Sequence, residues 1–138
     1  MGTWGTGAFD DDAAADWADE LHGGADLEVV RSALGIAETD YLEAPEGAVA
    51  IAAAEVVAAM LLPAASDLPA DVEAWVAEHR GEAGREDALL ALAAVDRVLA
   101  DGSELKELWA ESSDRSWSLA VDALRRRLQT SLGDIVTG

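Results

Sequence analysis

One apolar stretch determines the fold: Pro45-Glu46-Gly47-Ala48-Val49-Ala50-Ile51-Ala52-Ala53-Ala54-Glu55-Val56-Val57-Ala58-Ala59-Met60-Leu61-Leu62. Apolar side chains fill nearly all of its positions. Proline is tolerated in the first turn of a helix but not in its interior, so Pro45 and Pro63 predict a helix that ends at Leu62. A helix that is apolar all round is usually enclosed by other elements. We therefore expect this helix to lie at the centre of an all-α bundle.

Glu55 is the one ionisable side chain between Ala48 and Leu62. A carboxylate there is satisfied either by a position open to water or by an ion pair with an arginine such as Arg31 or Arg97. A catalytic acid is the alternative, since perturbed carboxylates often mark functional sites. The sequence places no second carboxylate or nucleophile with Glu55, so we expect a structural role.

The same apolar run, from Ala48 to Ala65, approaches the length of a membrane span. Alanine dominates it, Glu55 lies in its middle, and acids rather than Lys or Arg flank it, which favours a buried bundle helix. The N-terminus has neither the basic start nor the apolar core of a signal peptide. We expect a cytoplasmic protein that makes no membrane contact.

Other segments repeat apolar residues at helical spacing and are separated by short turns that contain Gly, Pro, Ser or Asp. They predict one domain over residues 1–138, an all-α compact bundle of about six to seven helices, with no strand. The predicted helices, besides the central one, are Asp11–His22, a second capped by Asp26, a fourth from Pro69 to Arg80, Arg85–Ala100, a short one after Ser103, and a last one after Asp114. The side chains predicted to face inward in the last three are Leu89, Leu92, Val95 and Leu99; Leu105, Leu108 and Trp109; and Trp117, Val121, Leu124 and Leu128.

An N-terminal extended strap, rich in Gly and Trp, precedes the first helix as Gly2-Thr3-Trp4-Gly5-Thr6-Gly7-Ala8-Phe9. We expect residues 1–9 to pack on the bundle through Trp4 and Phe9, because each ring would bury roughly 150–250 Å². Replacing either ring by Ala should then cost about 3–5 kcal/mol. A loss below about 1 kcal/mol would show an exposed ring and make the strap a binding motif. A phosphate-binding loop is the weaker alternative, because no strand precedes these glycines.

Four acids of the first helix, Asp12, Asp16, Asp19 and Glu20, share one face at helical spacing. The common interpretation is a solvated acidic face whose first residues also cap the helix. Asp12, Asp16 and Glu20 are weak candidates for a Mg²⁺ or Ca²⁺ site, because such ions prefer oxygen ligands, although the spacing is not that of an EF-hand loop. A third interpretation is a surface that docks a protein.

Two sequence blocks resemble a family of small bacterial proteins known as domain of unknown function 4259. The blocks are Trp4-Gly5-Thr6-Gly7-Ala8-Phe9-Asp10 with Asp12-Ala13 and Asp16-Trp17, and Asp96-Arg97-Val98-Leu99 with Ser103-Glu104-Leu105-Lys106-Glu107-Leu108-Trp109. Members usually show Asn where this chain has Asp11. The resemblance implies a compact, mostly helical bacterial domain, and it supplies no reaction and no catalytic residues.

The formal net charge of −19 is unevenly spread: residues 1–69 carry 14 acids and one base, whereas residues 70–138 carry 14 acids and eight bases. Such a field repels nucleic acids and anionic membranes and attracts basic proteins. A blander explanation is genomic or environmental: one lysine against eight arginines and 30 alanines indicates a high-GC bacterium, and strongly acidic surfaces also suit a salty cytoplasm. We favour that explanation, because net charge bears on solubility more than on mechanism. The chain has no cysteine and two histidines, which excludes thiolate and histidine-rich metal sites.

No spacing in the chain assembles a catalytic triad, a nucleotide loop or a cofactor site. We therefore expect no catalytic residues and no cofactor, and we interpret the chain as a small acidic protein-interaction module, regulatory or immunity-like, with a basic protein partner. The candidate binding residues are Trp4, Phe9, Asp12, Asp16, Asp19 and Glu20. The alternatives are a metal-dependent enzyme that uses the first-helix carboxylates and an acidic mimic of nucleic acid. The sequence does not specify the oligomeric state.

Overall fold

Helices account for most of the computed structural model, which describes residues 12–24, 26–36, 38–62, 68–111 and 115–137. The helices are α1 Asp12–His22, α2 Leu27–Leu34, α3 Ala44–Leu61, α4 Ala70–His79, α5 Arg85–Leu99, α6 Glu104–Ala110 and α7 Ser116–Thr137, with a 3₁₀ turn at Arg80–Glu82. Within these ranges the only β-type pairing is an isolated bridge between Leu42 and Ser103. The prediction of an all-α bundle is confirmed.

Helix α3 is the centre of the bundle, as its sequence predicts. It packs against α1, α2, α4, α5, α6 and α7, and it is buried from Gly47 to Met60 except at Val49 and Glu55. Its length and mean hydropathy of 1.6 would by themselves allow it to cross a membrane, but 67% of that 18-residue window is buried inside the bundle. The burial of α3 is that of a core helix.

The buried face of α5 differs from the predicted one. Leu89 is 46% exposed, and Leu92 and Leu99 are only partly buried. The residues that face the core are mainly small: Ala88, Ala91, Ala94, Val95 and Val98. Because the distance between two packed helices depends on the side chains at their contact, alanines on α3 and α5 allow a close approach that leucines would prevent. The predicted leucine stripe is therefore wrong at Leu89, and an adjacent alanine face replaces it.

The predicted helix ends are confirmed where the structure describes them. Gly24 follows α1 with a φ of 107°, a left-handed conformation that favours glycine. Asp26 caps α2, and its side chain accepts a hydrogen bond from the Glu28 N–H. Pro45 lies in the first turn of α3, and Pro69 precedes α4.

Helix α7 places its predicted residues inward. Trp117, Val121, Leu124 and Leu128 are all buried. On α6 the prediction is only partly correct, because Leu105 is buried whereas Leu108 is 52% exposed. Trp109 of α6 stacks on Trp117 with ring centroids 5.9 Å apart, which joins the two helices.

Candidate functional site

The predicted strap residues Trp4 and Phe9 lie outside the described residues, as do Asp10 and Asp11. Their packing on the bundle stays a prediction. The four other candidate residues lie on α1 and can be placed.

Asp12, Asp16, Asp19 and Glu20 are all exposed on α1. They occupy the helix face opposite the inward one, which consists of Ala14, Trp17, Ala18 and Leu21. All nine lysines and arginines of the chain lie in the described ranges, and none of them forms an ion pair with Asp16, Asp19 or Glu20. These three acids are therefore exposed and have no lysine or arginine partner within the described ranges.

No group of three or more Asp, Glu or His side chains comes together as a metal-binding cluster within the described ranges. Helical spacing gives Asp12, Asp16 and Glu20 a common face, but a Mg²⁺ or Ca²⁺ ion needs oxygens that converge on one point. A metal at these three carboxylates stays an untested prediction.

A groove of about 470 Å³ lies beside this acidic face, between α1 and α2. Val29 and Ala33 of α2 and Val49 of α3 give it an apolar, partly exposed floor, and Trp17 of α1 completes the apolar lining. Its polar lining consists of Glu20 from α1 and of Glu28 and Ser32 from α2. We call these seven residues the α1–α2 groove.

The groove exists because α1 and α2 both pack mainly on α3 rather than on each other. Sequence reasoning identified only Glu20 as a candidate among its lining residues. A signal was present in α2, because Val29 and Ala33 are spaced i, i+4 and lie outside the buried stripe of Leu27, Val30 and Leu34. Two apolar residues on a second face of a short helix indicate a surface that is only partly covered.

The one acid inside α3 is held by an arginine, but not by either predicted partner. Glu55 is mostly buried and forms a short hydrogen-bonded ion pair with Arg127 of α7. The prediction of Arg31 or Arg97 is wrong because helix order along the chain does not reveal which faces of α3 and α7 meet. The paired carboxylate ties two helices together, which supports a structural role for Glu55.

Arg31 instead binds Asp87 at the start of α5. Its Nε lies 2.7 Å from Asp87 Oδ1, and its Nη1 lies 3.0 Å from Glu28 Oε1. The Asp87 side chain is 5% exposed, and burial alone would raise its pKa; the hydrogen bonds from Arg31 and from the Gly84 N–H outweigh that effect and hold the pKa below its usual value. The Asp87 hydrogen bond also raises the pKa of Arg31. This buried carboxylate is a helix cap and an anchor for α2.

Arg97, in the second block of the family resemblance, binds only backbone. Its guanidinium donates hydrogen bonds to the carbonyl oxygens of Thr39, Asp40, Asp101 and Gly102, at 2.9–3.2 Å. Gly102 has a φ of 79°, and a Cβ there would lie 3.1 Å from the Asp40 oxygen. Arginine and glycine are thus both required where these two loops meet.

The same two loops form backbone pairs beside Arg97. The Leu42 N–H donates to the Gly102 carbonyl at 2.7 Å, and the Glu104 N–H donates to the Leu42 carbonyl at 2.8 Å. The Glu104 carboxylate accepts from the Ala44 N–H at 2.8 Å and so satisfies the start of α3. We call residues 38–44 together with Arg97 and residues 101–104 the clasp. Its contacts give the second block a structural role.

The arginines of α7 also serve the fold. Arg125 binds Asp96 of α5 at 2.7 Å, and that hydrogen bond raises the pKa of Arg125. Arg126 pairs with Asp122 on its own helix. Arg125 and Arg127 thus both meet acids of neighbouring helices, Asp96 of α5 and Glu55 of α3.

A family model described as a domain of unknown function (DUF4259) matches residues 2–120. The matched range contains both blocks of the resemblance, from Trp4 to Trp17 and from Asp96 to Trp109. No curated protein and no solved structure matches the chain. The chain therefore belongs to the DUF4259 family.

Proposed function

We propose that this protein is a cytoplasmic interaction module that binds a basic protein through the acidic face of α1. The observation that carries the proposal is the lack of any lysine or arginine partner for Asp16, Asp19 and Glu20 within the described residues. The acids elsewhere that lie at helix contacts, such as Asp87 and Glu55, are bound by arginines. Asp16, Asp19 and Glu20 form no such pair within the part of the chain that the structure describes.

Electrostatics favours such a partner. A net charge of −19 produces a field that speeds the encounter with a basic surface and opposes the approach of nucleic acids. Helix α1 presents these carboxylates on an ordered backbone, so a partner can bind them without ordering the main chain. Asp12 belongs to the same proposed surface, and Trp4 and Phe9 belong to it on sequence grounds alone.

The test is capture of partners from native lysate by the full chain, at low and high salt, with identification by mass spectrometry. The decisive variant is Asp16→Asn/Asp19→Asn/Glu20→Gln. Its matched control, Asp71→Asn/Glu73→Gln/Glu78→Gln, also removes three exposed acids, but from α4. We expect one partner in stoichiometric amount at low salt, released by high salt and by the α1 variant but not by the α4 control.

A partner that the α1 variant retains fully would contradict the proposal. A captured protein that binds nucleic acid, and that DNA displaces from this chain, would identify the module as an acidic mimic of nucleic acid. The strong negative charge supports that form of the proposal.

A further inference from the structure

We infer that the α1–α2 groove receives one large apolar side chain from a lysine- or arginine-bearing segment of the partner protein. This inference rests on the proposed function, and it adds to the charged surface a defined binding groove for one side chain. It assigns the chemistry of the segment: an apolar anchor with cations beside it.

The floor of the groove supplies the apolar contact. Val29, Ala33 and Val49 are partly exposed there, whereas the Trp17 side chain is fixed by the core and is only 8% exposed. Ligand pockets span roughly 300–1,000 Å³, so about 470 Å³ is near the lower limit. Much of that volume is open to solvent, so the contact for an apolar side chain is the small floor of Val29, Ala33 and Val49 rather than an enclosed cavity. Burying such a side chain on an apolar floor is favourable because it removes apolar surface from water.

The rim of the groove selects a cation. Glu20 on the α1 side has no lysine or arginine partner in the described chain. Glu28 on the α2 side has a side chain that is 73% exposed, and it shares Arg31 with Asp87. These two carboxylates share a single guanidinium and leave one negative charge in excess, to which Glu20 adds a second. A segment with Lys or Arg on either side of its apolar residue complements this rim, and an acidic or phosphorylated one does not.

The walls are held in place before any partner binds. Trp17 packs into the core from α1, and the ion pair between Arg31 and Asp87 anchors α2 to α5. A groove with fixed walls loses little entropy when it is filled. The segment can then bind without reorganising the bundle.

The test uses synthetic peptides and the full chain. The probe is a fluorescein-labelled peptide of Lys and Ala with one central Leu, and the comparison peptide has Ser in place of that Leu. We expect the Leu peptide to bind about tenfold more tightly, because burying one such side chain is worth about 1.5 kcal/mol and each 1.4 kcal/mol is tenfold. Equal affinity for the two peptides would overturn the inference.

Two pairs of variants locate the contact. Ala33→Gln places a polar side chain in the groove, and its control Ala74→Gln makes the same change at an exposed site of α4. Glu20→Gln/Glu28→Gln removes the rim charge, and its control is Glu73→Gln/Glu78→Gln on α4. We expect Ala33→Gln to abolish the preference for Leu over Ser, and the rim variant to weaken binding and flatten its dependence on salt. Controls that weaken binding as much as the groove variants would overturn the inference.

Two other occupants give distinct results. If the groove binds a second copy of this chain, wild-type protein will dimerise in sedimentation and Ala33→Gln will not, which contradicts a partner segment. If the N-terminal residues of the chain fill the groove, the Leu peptide will bind only after Trp4→Ala or Phe9→Ala, which also contradicts it. The α1 triple variant could lose the captured partner while the Leu and Ser peptides bind equally well. That pair of results would support the proposed function and would overturn only the inference about the groove.

Discussion

The clasp and the acidic face of α1 both contain charged residues, but the two sets differ in what their side chains contact. In the clasp, Arg97 and Glu104 are directed inward and bind backbone groups of neighbouring segments. On α1, Asp16, Asp19 and Glu20 point outward and bind no basic side chain of the described chain. The folded structure thus explains the second block of the family resemblance, whereas it gives Asp16, Asp19 and Glu20 no lysine or arginine partner among the described residues.

The largest expected effect is at the clasp. Arg97→Met removes the guanidinium that joins the loop at residues 39–40 to the loop at residues 101–102. Because hydrogen bonds to charged groups contribute about 1.5–3 kcal/mol each and part of the site is open to water, we expect a loss of about 3 kcal/mol in unfolding free energy, measured by urea denaturation.

Arg80→Met is the matched control, since Arg80 is exposed, and it should change the unfolding free energy by less than about 0.5 kcal/mol. Arg97→Lys should recover only part of the lost stability, because the ammonium group of lysine cannot reach four carbonyl oxygens as the planar guanidinium of Arg97 does. Equal stability of Arg97→Met and wild type would show that the clasp is not structural.

The second prediction concerns Glu55, the carboxylate of the central helix. Glu55→Leu removes the carboxylate that Arg127 binds on α3, and we expect a loss of about 2 kcal/mol in unfolding free energy, below the loss of about 3–5 kcal/mol for a fully buried pair because some water reaches this one. Glu55→Leu/Arg127→Met should regain at least half of that loss in the same urea experiment. A double variant no more stable than the single one would mean that the ion pair is not the source of the effect.

The third prediction is a pH dependence at Asp87. The pKa of Asp87 is lower in the folded chain than in the unfolded chain. The ionised carboxylate therefore stabilises the fold fully above the unfolded pKa of about 3.9, and this stabilisation is lost as the pH falls through the folded pKa. Asp87→Asn should cost about 1–2 kcal/mol at pH 7, a range discounted for the solvent exposure of Arg31.

The two proteins should begin to converge in stability as the pH falls below about 4, and should converge fully once it lies below the folded pKa of Asp87. Urea denaturation across the acidic range measures this difference. A difference in unfolding free energy between wild type and Asp87→Asn that stays constant while the pH falls below the folded pKa of Asp87 would contradict this assignment.

The smallest effect on stability is expected at the acidic face of α1. Asp16→Asn/Asp19→Asn/Glu20→Gln should change the unfolding free energy by no more than about 0.5 kcal/mol, because these exposed acids have no lysine or arginine partner among the described residues. The same variant should lose the captured partner. A large loss of stability would show that these acids stabilise the fold, as the clasp residues do, and would contradict the contrast between the two regions.

Much of the bundle was predictable from local patterns. Pro45, Asp26 and Gly24 mark helix ends through backbone geometry, and the apolar sequence of α3 indicates its central position. The α5 face was mispredicted because Ala88 and Leu89 are both apolar neighbours, and only packing against α3 decides between them. The pairing of Glu55 with Arg127 depends on which faces of distant helices meet, and no local pattern contains that information.

The candidate site was predicted less completely. Helical spacing placed Glu20 correctly on an exposed face of α1, but the groove beside it needs α2 and α3 in position, so Val29 and Val49 were not recognised. The Arg97 contacts were not predicted either, since they join loops that are far apart in the chain.

Hydrogen exchange of the full chain, with and without the partner captured from lysate, tests the contrast between the two regions most directly. Amides protected by a bound partner exchange more slowly. Our account predicts slower exchange in α1 and α2, over Asp12–His22 and Leu27–Leu34, and unchanged exchange in the clasp. Slowing confined to residues 38–44 and 101–104 would contradict it and would place the interaction surface at the clasp.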